Sequence, residues 1–293
     1  MKKPLLSIVI ANYNYGRFLA DAIESVIAQR MGDSVELIIC DAGSTDCSVD
    51  VIKKYEKNVK WWCSEKDGGQ SAAFNKGFSH AAGRFLTWLN ADDVLLPGTL
   101  EKLRLASERW PECEWFAAGC FWLDPKMKIF KCGRVRRMSH YRAINGSVNV
   151  CGPSSFFSRE LYERVGKIDE RFMYTMDVDL WLRFALQAHV VFKPFTTYGW
   201  GLRLHPESKM SGHKFTADGG ILEGDASREA FLKNESKIKQ VKLEKNWMME
   251  KFPGVHWHLS RFMTLLTADY IPVALSRYDT WRYRGRSLKD IFE

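Results

Sequence analysis

Trp88-Leu89-Asn90-Ala91-Asp92-Asp93 closes an apolar run over residues 85–89 with two adjacent carboxylates, and Val94-Leu95-Leu96-Pro97-Gly98 follows at once. The run reads as a buried β-strand. Two acids at the C-terminal edge of such a strand are costly unless something pairs with them. In open α/β sheets that edge is where ligands bind. Carboxylate oxygens suit Mg²⁺ or Mn²⁺, and these ions usually hold phosphates as well. A metal-bound nucleotide is therefore the first expectation.

Outward from this strand, the first half of the chain alternates strand and helix. Residues 7–11, 35–40 and 59–63 read as further strands. Residues 17–29, 70–82 and 99–110 read as helices, the first with Leu19, Ile23, Val26 and Ile27 on one face. Ser44 or Thr45 is placed to cap another helix that runs to about residue 55. Strands regularly separated by helices imply parallel βαβ units in a doubly wound sheet. Each strand then delivers polar or glycine residues to one edge: Asn12-Tyr13-Asn14, Asp41-Ala42-Gly43-Ser44, Asp67-Gly68-Gly69 and Asp92-Asp93. The second half is less regular. Strands are expected at 115–123, 129–135 and 154–158, helices at 159–165 and 177–188, and extended chain at 190–195 and 198–204.

The chain has 293 residues, 46% of them hydrophobic and 27% charged, which suits one large α/β domain, or one domain plus a smaller appendage. No stretch approaches the roughly 20 apolar residues of a membrane span. Met1-Lys2-Lys3-Pro4 runs straight into a strand without a signal-peptide cleavage site, so a cytoplasmic location is expected, with a peripheral place at the inner membrane face as an extension of it. The seven scattered cysteines include no Cys-x-x-Cys pair, which argues against zinc. The net charge is +8, and residues 126–142 carry Lys126, Lys128, Lys131, Arg134, Arg136, Arg137 and Arg142 without an acid. Such density favours an acidic partner. Nucleic acid is not expected, because no recognised binding module is present.

In this order the motifs resemble the inverting glycosyltransferase family 2, nucleotide-sugar transferases with the GT-A fold. The matching text is Ser7-Ile8-Val9-Ile10-Ala11-Asn12-Tyr13-Asn14, Asp41-Ala42-Gly43-Ser44-Thr45-Asp46, Asp67-Gly68-Gly69-Gln70 through Asn75-Lys76-Gly77, and Trp88-Leu89-Asn90-Ala91-Asp92-Asp93. Met176-Asp177-Val178-Asp179-Leu180-Trp181-Leu182-Arg183 and Arg203-Leu204-His205-Pro206 follow. Six blocks in register across residues 5–210 make the resemblance specific.

The resemblance implies an α/β, Rossmann-like GT-A fold: a mostly parallel twisted sheet with flanking helices over residues 1–213, in which 1–110 bind the nucleotide and 111–213 face the acceptor. A helical, basic extension over 214–293 completes the chain. It implies a nucleotide-sugar donor, UDP first, a divalent metal and a glycan or lipid-linked acceptor in surface polysaccharide synthesis. Ala11, Asn12, Tyr13, Asp41, Gly68, Gly69, Asn75 and Asp92 would contact the nucleotide. Asp93 and His205 would hold the metal, and Asp177 would be the catalytic base. Arg203, Asp179 and Lys76 would meet the diphosphate or acceptor. Departures are visible: Ala42 stands where a second acid is usual, Phe74 where an arginine is frequent, and Met176 in place of the first acid of an acidic pair.

From the residues themselves, plainer roles stand beside these. Asp41 suits a turn or cap as well as a ligand, Asp177 and Asp179 suit a helix N-terminus, and His205 suits an ordinary surface. Trp122 and Trp200 suit either sugar stacking or the core. The segment 257–270 and Trp281-Arg282-Tyr283-Arg284-Gly285-Arg286 suit packing on the domain, a homodimer contact or an anionic membrane. Two rival functions share the fold: a polyprenyl-phosphate glycosyl synthase, and a non-catalytic nucleotide or glycan-binding module. A dinucleotide oxidoreductase is excluded, because Asn12-Tyr13-Asn14 replaces the Gly-x-Gly-x-x-Gly turn.

Overall fold

The computed structural model describes residues 3–135, 150, 152–172, 176–186, 190–209 and 270–292, with backbone alone for 270–275. Its strands are β1 (Leu6–Asn12), β2 (Val35–Asp41), β3 (Trp61–Ser64), β4 (Phe85–Asn90), β5 (Val94–Leu95), β6 (Trp115–Leu123), β7 (Ile129–Gly133), β8 (Ser155–Ser158) and β9 (Phe192–Arg203). The helices are α1 (Gly16–Ile27), α2 (Ser48–Lys54), α3 (Gln70–Ser79), α4 (Thr99–Arg109), α5 (Arg159–Arg164), α6 (Met176–Leu186), α7 (Tyr270–Tyr283) and α8 (Lys289–Phe292). The strands form one sheet in the order β3-β2-β1-β4-β8-β6-β9-β5, with β7 paired to β6.

The expected α/β architecture is present. The pairs β3–β2, β2–β1 and β1–β4 are all parallel, so the C-terminal ends of these four strands share one edge. Beyond β4 the sheet becomes mixed: β8 pairs antiparallel with β4 and β6, while β9 runs parallel to β6.

Alternation along the strands divides the apolar residues between two layers, as a sheet covered on both faces requires. Ile8, Ile10, Leu37, Ile39, Phe85 and Leu89 pack with Leu19 and Ile23 of α1 and Leu103 of α4. Val9, Ile38, Leu86 and Trp88 point the other way, onto Phe74 and Phe78 of α3 and Leu180, Trp181 and Phe184 of α6. Trp181 stacks between Trp88 (5.4 Å between centroids) and Trp115 (5.3 Å). Such aromatic contacts add about 0.5–1.5 kcal/mol each beyond buried area. They fix α6, and with it the loop-proximal Asp177, to the sheet.

Several expectations are corrected. The helix placed from about residue 45 begins at Ser48, because Ser44 is committed elsewhere: its hydroxyl and amide both bond to Asp41. Asp46 organises the start of α2 instead, accepting from Ser48 N (2.9 Å) and from Gly16 N (2.8 Å). The two extended segments after residue 190 are one strand, β9. Trp200 is buried in the core and is not a sugar platform, whereas Trp122 carries the Lys131 ammonium 4.7 Å from its ring centroid. The expected extension is represented by α7 and α8, which dock on the sheet through Tyr283, Leu288 and Ile291. The predictions for 257–269 and for Arg136, Arg137 and Arg142 fall outside the described residues.

Candidate active site

The edge formed by β1, β2 and β4 gathers Ala11, Asn12, Tyr13, Asp41, Asp92 and Asp93. Ala11 lies between Cys40 and Asn90 in register, and Tyr13 is 61% exposed at the rim. Asp41 is buried and saturated. Its Oδ1 accepts from Asn12 Nδ2 (2.6 Å) and the Ser44 hydroxyl, and its Oδ2 accepts from Ser44 N (2.9 Å) and Ser64 Oγ (2.6 Å). Four protein donors make it the knot of the β1, β2 and β3 termini. Asn12, which donates to it, is left with a buried Oδ1 that has no partner among the described residues. An unsatisfied buried acceptor is costly and leaves a hydrogen-bonding capacity that a further donor would fill.

The acidic pair is asymmetric. Asp93 is fully buried and turned inward: Oδ1 accepts from Arg203 N (2.9 Å) and Oδ2 from Asn90 Nδ2 (2.7 Å). Asp92 instead faces His205, whose Nε2 lies 3.1 Å from Oδ2. Burial raises both carboxyl pKa values. For Asp92 the His205 contact works against the rise, and for Asp93 the Asp92 charge adds to it. Two adjacent acids whose charged forms are disfavoured where they stand make a setting that a cation relieves. Asp92 with His205 is a donor set that Mg²⁺ or Mn²⁺ accepts. No cluster of three or more His, Cys, Asp or Glu side chains able to hold an ion occurs among the described residues, so the remaining ligands of such an ion would come from phosphates and water.

His205 is held by α1. Phe18 packs 4.5 Å and Tyr15 5.4 Å from its ring, and the Tyr15 hydroxyl donates to Glu207 O (2.7 Å). Burial, with the Asp92 charge adding to it, pushes the Tyr15 phenol up to about 12 and keeps it a donor. Arg203 is 5% exposed, donates to Asp21 (2.7 Å) and lies over Phe18, so its side chain clamps β9 to α1.

Gly68 and Gly69 form the turn into α3, with Gly69 at φ 105°, but the Gly69 amide is spent on Asp67 Oδ1 (2.7 Å). Gln70, not singled out in the sequence, ties this turn to the site. Its Nε2 donates to Asn90 Oδ1 (2.9 Å), and its Oε1 accepts from Lys209 Nζ (2.8 Å). Lys209, four residues past His205, was also missed. Burial lowers its pKa, and the Asp92 charge works against that by favouring the protonated form.

Asp177 stands at the start of α6. Its Oδ1 accepts from Val178 N (2.8 Å), and a Cβ built on Gly152 would sit 3.5 Å from its Oδ2. Burial lifts its pKa to about 6, with no charged neighbour among the causes. A Cβ at 152 would also meet the Trp88 ring at 3.3 Å, so glycine there keeps the backbone close to a carboxylate poised near neutrality.

Three expected residues are not brought to this edge. Asn75 holds the loop after α5, bonding to Ile168 O (2.9 Å), Ile168 N (3.2 Å), Glu170 (2.8 Å) and the Tyr162 hydroxyl. Lys76 pairs with Glu65. Asp179 makes a two-pronged contact with Arg183 (2.7 and 3.0 Å), and both line a separate polar pocket with Asn75.

Residues 7–118 match the family model of glycosyl transferase family 2. Among curated relatives, an uncharacterised glycosyltransferase of Nostoc sp. is 42% identical over 101 residues, 33% of this chain and 31% of that one. Another, of Methanocaldococcus jannaschii, is 27% identical over 190 residues, 62% and 65% of the two chains. The chain thus spans less than two thirds of the length of these relatives. In fold, it is similar to S. aureus TarS 1–349, solved in complex with UDP-GlcNAc, with a TM-score of 0.59 at 13% identity over 72% of this chain and 61% of that one.

Proposed function

We propose that the chain, whose residues 7–118 match the family model of glycosyl transferase family 2, is a transferase of that family that moves a sugar from a nucleotide-sugar donor, UDP-linked, to a hydroxyl of a glycan or lipid-linked acceptor, with inversion at the anomeric carbon. The observation that carries this reading is Asp177, a carboxyl raised to about 6 by burial at the start of α6, close to the Gly152 backbone. A base of that pKa is mostly ionised at neutral pH and still a competent proton acceptor.

The nucleotide would lie along the ends of β1 and β2, where Asn12 Oδ1 accepts a base N–H such as that of uracil. Asp41 would act one step back by holding Asn12. Asp92 and His205 would hold the divalent ion, a role the sequence alone gave to Asp93 rather than Asp92. When bound, the ion stabilises the charge that develops on the departing diphosphate. Asp177 takes the acceptor hydroxyl proton as that oxygen bonds to the anomeric carbon. The carbon–oxygen bond to the diphosphate breaks on the opposite face, and the nucleoside diphosphate leaves with that electron pair.

Calorimetric titration of UDP, GDP and dTDP, with and without Mn²⁺, tests the donor side. UDP should bind most tightly, its affinity should rise with Mn²⁺, and Asp92→Ala should remove the rise. Asp177→Ala should bind UDP as the parent does. Binding of UDP that ignores Mn²⁺ would overturn the assignment of Asp92 and His205.

A further inference from the structure

α7 has two unlike faces. Ser276, Asp279, Thr280 and Tyr283 recur at helical spacing and dock on the sheet. Thr280 Oγ1 accepts from Cys132 N (2.9 Å), Ser276 Oγ from Arg134 N (3.0 Å), and Asp279 Oδ2 from Arg134 Nε (2.7 Å). Tyr283 packs on Phe121, 5.7 Å between centroids. The other face carries Arg277, Tyr278, Trp281 and Arg282, all exposed. Tyr278 is 53% and Trp281 77% exposed, and their rings lie 5.9 Å apart.

The surface continues in one charge. Exposed Arg284 and Arg286 follow α7, and the Gly285–Arg286 backbone is bonded to β7: Gly285 N to Ile129 O (2.7 Å) and Ile129 N to Arg286 O (2.9 Å). That brings the exposed Lys128 beside Ser287. Of the acids nearby, Asp279 is turned inward to Arg134 and Tyr198, and Asp290 is spent on the Ser287 amide.

We propose that this face of α7, with Trp281 and Tyr278 as its apolar tips and Arg277, Arg282, Arg284 and Arg286 around them, docks the enzyme on an anionic lipid surface. Indole and phenol rings favour the bilayer interface, where an apolar body and a polar tip are both satisfied. Basic side chains beside them meet the negative surface potential. A second copy of this chain fits poorly, because a two-fold contact sets the same patch against itself and so cation against cation. α7 has 14 residues and carries arginines on this face, so its contact is one of lying on the surface. The inference is independent of the sugar chemistry.

The test is flotation of the full chain, without nucleotide, with phosphatidylcholine vesicles that contain or lack phosphatidylglycerol. The protein should float with the anionic vesicles, less so as salt rises, and stay behind with the neutral ones. Arg277→Gln with Arg282→Gln should weaken binding about thirtyfold, since each basic side chain contributes about 1 kcal/mol at such a surface and 1.4 kcal/mol is tenfold. Trp281→Ala should also weaken it while the salt dependence stays. Both variants should melt as the parent does, since the altered side chains face solvent. Failure to float with anionic vesicles would overturn the proposal. Equal flotation of parent and double variant would do so too, as would self-association abolished by Trp281→Ala, which would assign the face to a second copy.

Discussion

Replacing Asp177 by asparagine should stabilise the fold while it removes the base. The carboxyl has a pKa near 3.8 in the unfolded chain and about 6 in the fold, raised by burial. The folded state therefore holds the proton more tightly, and its stability is greatest below the unfolded value. As pH climbs from 3.8 through about 6, the unfolded chain ionises first and the native state loses ground. A shift from 3.8 to about 6 corresponds to about 3 kcal/mol once both states are ionised. Asparagine is neutral throughout and keeps the Oδ1 acceptor for Val178 N. Its advantage over the parent should thus grow from about 1 kcal/mol near pH 4.5 to a ceiling of about 3 kcal/mol near pH 7.5. Urea unfolding at the two pH values, with unchanged denaturant slope, measures it directly. A variant no more stable than the parent near pH 7.5, or equally advantaged at both, would refute burial as the cause of the raised pKa.

Other positions give sharper separations between framework and site. Asn75→Ala should leave UDP affinity unchanged and lower stability by about 1–3 kcal/mol, because it strands the backbone groups of Ile168; an affinity loss at unchanged stability would return Asn75 to the nucleotide site. Trp181→Ala should cost about 3–5 kcal/mol by emptying the stack between Trp88 and Trp115, and a melt within a degree of the parent would contradict that packing. Gly77→Ala should cost about 1–3 kcal/mol, since its Cβ would fall 2.3 Å from Val9 Cγ1; thermal unfolding settles the sign.

Most of the first half was legible because its signals are local. The apolar runs of β1, β2 and β4 stop at polar residues, and parallel pairing alone then brings those ends to one edge. What escaped depends on partners distant in sequence. Asp92 and Asp93 look alike as text, and the Arg203 amide of β9, 110 residues on, joins Asn90 in turning Asp93 inward. Asn75 sits inside a motif, yet the face of α3 it occupies looks toward the loop after α5. Ser44 has the chemistry of a helix cap, but Asp41 claims it first. Gln70 and Lys209 carried no separate signal, because their meeting is a consequence of how the 203–209 segment returns across β4. The motif around Asp177 marks its place at a helix start, and its raised pKa comes only from its burial.

The central claim is that Asp177 serves as base in transfer from a nucleotide sugar, and turnover of UDP-sugars against pH in the presence of Mn²⁺ tests it most directly. The account predicts that release of UDP rises through an apparent pKa of about 6 and that Asp177→Asn lowers it about 10²–10⁴-fold with UDP binding intact. A variant that turns over at the parental rate, or a parental profile flat through that range, would contradict it.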